Sequence, residues 1–343
     1  MHHPVRLGAA ALALAFATAG CAGSGSDTGS QGGSSPAKQA AAGQTTLTSC
    51  GHQVLVEAPP KRAVTLDQSS TEVLLALGLK DRMAGTANLK TKIAKEYADA
   101  YADVPVLSPK LLTAEQLRAA TPDFVVSGYT THFTKDGVGT REELDKLKVP
   151  SYVSAVNCPD QNPAGSRPFD LLFKDFENLG KAFGVEDRAA KLIKEQRATL
   201  DKTAGIADGV QGEPSVVWVY SIFGESVYVA GGTAMPSEMS RVVGAKNAFD
   251  DLSEDWPAVT WEEIAKRNPD FIVLGDLSER GKAGDTAEEK LAALRDNPVT
   301  SKLDAVVKKR FIEIPGTEMD ASVRTVSALP RLTQGMKDLG YVR

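Results

Sequence analysis

Histidine is scarce in this 343-residue chain, with four copies. His2 and His3 lie at the extreme N-terminus, which leaves His52 and His132 for the folded part. A bare zinc or manganese site commonly needs two or three converging histidines. With His52 near the start of the fold, no such site is expected. No residue is assigned as a direct metal ligand, and a metal would arrive inside a chelate. Catalytic signatures are missing as well: there is no G-x-S-x-G, no G-x-G-x-x-G, no Walker loop and no H-E-x-x-H. One S-x-x-K spacing, Ser35-Pro36-Ala37-Lys38, falls in a low-complexity stretch and reads as chance. A basic excess is absent too. Lys and Arg number 39 against 44 Asp and Glu, the formal charge is -5, and no basic cluster occurs, which argues against a nucleic-acid partner. What is there is an ordinary globular balance, 24% charged and 42% hydrophobic, and enough length for two domains.

Long apolar runs are also lacking. The run at residues 7–19 follows Arg6 and is too short to span a bilayer as a stable helix. It has the form of a signal peptide over residues 1–20. Thr18-Ala19-Gly20-Cys21 resembles a bacterial lipobox, with Thr18 where leucine is usual. Cys21 is then the lipidated mature N-terminus, carrying acyl chains such as palmitate. The alternative is an ordinary signal peptide cut nearby, and either reading exports the protein. Residues 22–46 are rich in Gly, Ser, Ala, Gln and Thr without apolar periodicity, and read as a flexible tether. Of three cysteines, setting Cys21 aside leaves Cys50 and Cys158. An even pair in an oxidising compartment favours a disulfide.

One stretch occurs twice. Residues 113–126 read T-A-E-Q-L-R-A-A-T-P-D-F-V-V, and residues 260–273 read T-W-E-E-I-A-K-R-N-P-D-F-I-V. Thr113 and Thr260 are candidate N-caps, with Gln116 and Glu263 three residues on, so each copy predicts a capping box and a short helix. Proline ends each helix. An apolar run closed by Gly128 or Gly275 follows, as in a buried parallel strand. Two similar α/β lobes are therefore expected. Glu115 and Glu262 fall in the first turn, outside the capping position. They either complement the helix dipole or present matched acids to a partner with two-fold pseudo-symmetry.

The chain reads in order as alternating strands and helices. Strands are expected at 63–66, 83–86, 104–107, 124–127 and 152–153, with helices from Ser70 or Thr71 to Gly78 and at 141–147. This alternation predicts a parallel sheet covered by helices. Residues 169–183 and 187–204 have apolar residues at helical spacing, broken at Gly184, and form the spine between lobes. The second lobe has strands at 215–220, 226–229, 271–274 and 311–314 and helices around 236–243, 291–296, 299–309 and 322–340. The division is signal peptide 1–20, tether 21–48, first lobe 49–166, spine 167–208 and second lobe 209–343. The disulfide would join the start of the first lobe to a loop near its end.

Ligands of open α/β sheets sit outside the carboxyl ends of the strands. The strand-end loops between two such lobes hold Asp67, Asn88, Tyr129, His132, Tyr220, Trp256, Glu318, Asp320 and Arg324. Tyrosine and tryptophan pair an apolar face with a polar edge, which suits a mid-sized organic ligand. Tyr129 is expected in the pocket, and Asn88 and Tyr220 are candidates. Trp256 is either pocket wall or lobe core, and Arg324 either caps the last helix or meets an anionic ligand. Asp67 reads as a helix cap and His132 as a surface residue. Trp218 and Tyr228 lie inside strand runs and read as structural.

These pieces resemble the substrate-binding lipoproteins of iron–siderophore and cobalamin ABC importers. The match covers Pro60-Lys61-Arg62-Ala63-Val64-Thr65-Leu66, then Thr71-Glu72-Val73-Leu74-Leu75-Ala76-Leu77-Gly78, then Asp81-Arg82-Met83-Ala84-Gly85-Thr86. It continues through both repeat copies, Asp255-Trp256-Pro257 and Ala321-Ser322-Val323-Arg324. The resemblance implies an α/β fold of two Rossmann-like lobes with parallel sheets, joined by a long rigid helix, with the ligand cleft between them. It implies a monomer without catalysis or a cofactor of its own, lipid-anchored on the outer face of the cell membrane. Its ligand is a ferric chelate or corrinoid, Trp256 is a pocket residue, and Glu115 and Glu262 dock onto arginines of a dimeric permease. The loop at 108–112 lacks the tryptophan of corrinoid binders, and Gly128 replaces an aromatic, which turns the expectation from cobalamin to a siderophore. Catecholate chelates are strongly anionic and usually need several arginines, whereas the cleft loops offer chiefly Arg324 among acids. A ferric siderophore of the hydroxamate kind is therefore expected, with haem or cobalamin as the alternative. An exported cell-envelope enzyme and a surface lipoprotein with no small ligand are the rivals from other classes.

Overall fold

Short runs of β-branched and aromatic residues, punctuated by proline and glycine, build the first lobe. The computed structural model describes residues 44–343, so the leader, Cys21 and most of the expected tether lie outside the described residues. β1 (Thr45–Ser49) and β2 (His52–Val56) form an antiparallel hairpin turned by Cys50 and Gly51, both at positive φ. β1 begins inside the stretch expected to be tether. Leu47 and Ser49 alternate inward and are buried, which fixes the strand on the lobe.

The sheet itself comprises β3 (Ala63–Thr65), β4 (Met83–Ala87), β5 (Val106–Ser108), β6 (Phe124–Ser127) and β7 (Ser151–Val153). All neighbours are parallel, in the order β5-β4-β3-β6-β7. Strands covered on both faces should be buried along their length, and β3, β6 and β7 are. The helices are α1 (Gln68–Ala76), α2 (Ala98–Tyr101), α3 (Ala114–Ala119) and α4 (Arg141–Lys146). Strand order reverses between β3 and β6, the place where such sheets open a ligand crevice.

The spine is α5 (Pro168–Phe183) followed by α6 (Glu186–Ala207). Gly184, left-handed at φ 65°, ends α5. α6 is the long helix that joins the lobes. Near its start the Arg188 Nη1 donates to the carbonyls of Leu77 and Gly78, at 3.2 and 2.9 Å, at the end of α1. Further along, Gln196 Nε2 donates to the Val323 carbonyl of the second lobe at 3.0 Å.

The second lobe contains β8 (Ser215–Phe223), β9 (Ser226–Val229), β10 (Lys246–Asn247), β11 (Ala258–Val259), β12 (Phe271–Asp276) and β13 (Phe311–Pro315). Its helices are α7 (Met235–Val242), α8 (Trp261–Arg267), α9 (Ala287–Asp296), α10 (Asp304–Val307) and α11 (Thr325–Asp338). The strand order is β11-β9-β8-β12-β13, with β10 beside β8. This sheet is mixed, not parallel throughout. β9 runs antiparallel to β8 because only Gly224 and Glu225 connect them, and a parallel crossover needs a dozen residues or more.

Both copies of the repeat carry complete capping boxes, Thr113 with Gln116 on α3 and Thr260 with Glu263 on α8. One continuous buried apolar cluster unites the lobes. It runs from Leu74 and Phe124 through Phe173, Phe176 and Phe183 of α5 to Trp218, Phe271 and Leu329. Cys50 and Cys158 are bonded across 108 positions of sequence, with Cα atoms 5.6 Å apart. Constraining a loop of that length in the unfolded chain stabilises the fold by up to about 5 kcal/mol in the chain-entropy account.

Asp175 of α5 closes the joint between the first lobe and the spine. It is buried and accepts from Tyr152 OH at 2.7 Å, Ser154 Oγ at 2.6 Å and Ala155 N at 3.0 Å. Burial outweighs these donors and raises its pKa from 3.8 to about 6. Between those values the folded state binds the proton that the unfolded chain releases. The contribution is therefore full below about 3.8 and is lost as pH rises through about 6. Two pH units correspond to about 3 kcal/mol. Asp175→Asn should remove this slope, so urea melts should show the variant gaining about 2 kcal/mol on the wild type between pH 4 and pH 7. A constant difference across that range would contradict the assignment.

Candidate functional site

The site starts at the switch point. Asp67 follows β3 and caps α1, its Oδ1 accepting from Ser70 N at 2.9 Å. Its Oδ2 also accepts from Gly128 N at 2.7 Å and Ser127 Oγ at 3.1 Å, both at the end of β6. A Cβ on Gly128 would stand 3.3 Å from Asp67 Oδ1, so the bare backbone is what lets one carboxylate tie the two strand ends together. His132 sits beside it, with Nδ1 2.8 Å from Ser127 Oγ and 3.7 Å from Asp67. Burial pushes the imidazole below its usual pKa, and Asp67 only partly opposes this. His132 is thus part of the floor and not a free surface residue.

Above the floor, residues 88–94 leave β4 and strap across to the second lobe. Asn88 starts the strap in the left-handed region at φ 55°, a conformation asparagine tolerates better than most residues. The Gln68 side chain then holds it: Oε1 accepts from Lys90 N at 3.1 Å and Thr91 N at 3.0 Å, and Nε2 donates to Lys92 O at 3.1 Å. This delivers the Lys90 ammonium between the lobes. It donates to Tyr220 OH at 3.0 Å and to Asp320 Oδ2 at 3.2 Å. The same nitrogen lies 5.7 and 5.5 Å from the ring centres of Tyr129 and Tyr220. Tyr129 OH reaches Asp320 Oδ1 at 3.4 Å, and Trp256 packs on Tyr220 with ring centres 4.6 Å apart.

The electrostatics follow from burial. Burial, the largest single influence, would lower the Lys90 pKa, but the Asp320 carboxylate together with Tyr129 and Tyr220 outweighs it and holds the ammonium well above its usual range. Burial, reinforced by Asp320, raises both the Tyr129 and Tyr220 phenols. All three groups therefore keep their protons at neutral pH.

A second bridge lies deeper along α1. Arg324 Nε donates to Glu72 Oε2 at 2.5 Å, and its Nη2 makes a second, shorter contact with Glu72 Oε1. Nη2 also donates to Lys92 O at 2.7 Å, and Nη1 donates to Thr317 Oγ1 at 3.2 Å. Glu72 is 1% exposed. Around the cleft, Asp67, Glu72 and Asp320 face Lys90 and Arg324, so the acids outnumber the cations, and both cations are already paired. At the foot of the cleft a cavity of about 20 Å³ is bordered by Ser69, Ser127, Gly128 and Ala321, room for one water. A groove of about 850 Å³ elsewhere, on the outer face of α5 and α6, is remote from the strand ends.

Tyr129, Tyr220, Trp256 and Arg324 thus converge on the interlobe space, and Asn88 starts the strap that enters it. Arg324 neither caps α11 by its side chain nor stands free for an anion. The sequence does not point to Lys90 or Glu72 as site residues. Glu72 had a signal, an acid inside the apolar run of α1; Lys90 had none. Glu115 and Glu262 stand apart from this cluster, exposed in the first turns of α3 and α8. Among the described residues no cluster of three or more His, Cys, Asp or Glu is placed to hold a metal ion.

Two α/β lobes, a bridging helix and a site at the strand ends fit one family. The family model for periplasmic binding proteins matches residues 64–317. The chain belongs to this family. This periplasmic binding protein resembles a Bacillus subtilis protein described as an uncharacterized ABC transporter substrate-binding lipoprotein, YvrC. The two are 26% identical over 287 residues, which cover 83% of this chain and 81% of the other. The vitamin B12-binding protein of Vibrio campbellii is 22% identical over 246 residues, 71% of this chain and 81% of that one. A crystal structure described as an ABC-type Fe3+-hydroxamate transport system, from Saccharomonospora viridis, superposes with a TM-score of 0.71. It covers 85% of this chain and 98% of that chain at 23% identity. The protein is a substrate-binding protein and not an enzyme.

Proposed function

We propose that this periplasmic binding protein is the lipid-anchored, extracytoplasmic receptor of an ABC importer. It captures a ferric siderophore of the hydroxamate class and passes it to a dimeric permease. The observation that carries the ligand class is the charge state of the cleft: its cations are paired across the lobes and its carboxylates outnumber them. A strongly anionic catecholate chelate would find no free cation there among the described residues. The faces of Tyr129, Tyr220 and Trp256 suit a bulky chelate of low charge. Cys21 as lipid anchor and Glu115 and Glu262 as permease contacts complete the reading. Among the described residues no helix is long and apolar enough to cross a membrane.

The vitamin B12-binding relative favours a corrinoid as second reading. The packed interlobe space is also what a surface lipoprotein without a small ligand would have. Titration separates the three. Trp256 lies against Tyr220 in the cleft, so its fluorescence reports on that space. Residues 44–343 should show quenching at micromolar or lower concentrations with a ferric trihydroxamate, and none with the iron-free compound or a ferric tricatecholate. A response to cyanocobalamin or haem alone would reassign the ligand, and no response to any of them would favour the ligand-free lipoprotein.

A further inference from the structure

We propose that Tyr129, Tyr220 and Asp320 form a seat for a primary ammonium group, which Lys90 fills while the lobes are latched and a protonated amine of the ligand fills in its place. The inference deepens the ferric hydroxamate reading by adding a basic arm to the chelate.

The seat has what an alkylammonium requires. Two aromatic faces lie within 6 Å of the nitrogen, at 5.7 and 5.5 Å, the reach of a cation–π contact. A phenol oxygen at 3.0 Å and a carboxylate oxygen at 3.2 Å accept its hydrogen bonds. Asp320 is 5% exposed. Its other side-chain partners are long phenol contacts, Tyr129 OH at 3.4 Å and Tyr220 OH at 3.5 Å. Without a cation the carboxylate would be buried and unpaired, which is strongly unfavourable.

Among the described residues no neighbouring cation is placed to relieve it. Arg324 is bound to Glu72, Thr317 and Lys92 O. Lys92 Nζ is 88% exposed and turned to Glu279, 3.7 Å away. Arg280 is paired with Asp285 at 2.9 Å. A ligand large enough to need the interlobe space must displace the strap and Lys90 with it. A neutral or anionic ligand would leave Asp320 bare, whereas one with a primary amine restores the cation, the π contacts and the hydrogen bonds together. The strap is therefore an internal competitor carrying the same chemical group as the ligand.

Two readouts test this. The first uses no iron. Lys90→Ala should melt below the wild type, and about 50 mM n-butylammonium should raise its Tm by 2–4 °C or more. n-Butanol should not, and neither Lys90→Met, whose apolar stem still fills the seat, nor Lys90→Ala with Asp320→Asn should respond to the amine. The second compares, on wild-type protein, a linear ferric trihydroxamate with a free terminal amine and its N-acetylated form; acetylation should weaken binding tenfold or more. Equal affinity of the two chelates, or an amine effect no larger on Lys90→Ala than on Lys90→Met, would overturn the seat. Amine rescue with neither chelate bound would uphold the seat and overturn the hydroxamate reading. If Lys90→Ala does not fold, the chelate pair alone decides.

Discussion

Replacing Glu115 and Glu262 together by alanine should abolish ferric chelate uptake in whole cells and leave chelate affinity within about twofold of wild type. The separation of effects comes from where the side chains stand. Both are exposed in the first turn of a short helix, and the capping hydrogen bonds are made by Gln116 and Glu263. Losing either acid therefore costs the helix only its dipole interaction, about 0.3–1 kcal/mol. Neither lies among the strap, Tyr129, Tyr220 or Asp320. Docking is different. A carboxylate meeting an arginine across an interface makes a charge-assisted contact worth roughly 1.5–3 kcal/mol. Losing two such contacts weakens docking by roughly two to four orders of magnitude. Uptake of radiolabelled chelate and fluorescence titration of the purified variant give the two numbers. Collapse of both would mean that these glutamates hold the fold or the pocket; normal uptake would remove them from the permease interface.

Local sequence chemistry made much of the fold legible. The capping boxes of α3 and α8 depend on residues three apart, and the break at Gly184 on one left-handed residue. The Cys50–Cys158 pairing followed from counting. What escaped was governed by partners distant in sequence or by very short connections. The strand at Thr45–Ser49 has one apolar residue, Leu47, among threonines and serine, and only its pairing with β2 gives it order. β9 carried a strand signal, but its direction was set by a two-residue connection. In the candidate site the aromatic residues were legible from their strand-end positions. The charges were not. Lys90 lies 230 positions from Asp320, and Glu72 lies 252 from Arg324. A lysine in a polar loop reads as solvated until the opposite lobe supplies a buried carboxylate. The same distance explains Arg324, which reads as available to an anion in the sequence but is occupied by Glu72 in the fold.

Glu72→Ala should destabilise the protein by about 3–5 kcal/mol, because it leaves the Arg324 guanidinium enclosed without its counter-charge. Glu72 is 1% exposed and Arg324 16%, so water cannot take over the role of the carboxylate. The remaining acceptors, Lys92 O and Thr317 Oγ1, are neutral. Alanine also strips Ala94 N and Gln68 Nε2 of a shared acceptor, at 3.3 and 3.1 Å, which loosens the strap. Adding Arg324→Met should restore part of the loss, since no unpaired charge is then left enclosed, while the space vacated by the Glu72 side chain remains as a cavity cost. The cycle of single and double variants in urea then gives the coupling between the lobes directly. A single-variant loss below about 1 kcal/mol, the scale of an exposed pair, would show that the bridge is solvated and does not latch the lobes. A large loss with no recovery in the double variant would place the effect in the hydrogen bonds to the strap, not in the charge of Arg324. With recovery, the lobes are held by paired charges on either side of a space that a ligand must enter, and any ligand that separates them has to compensate both pairs.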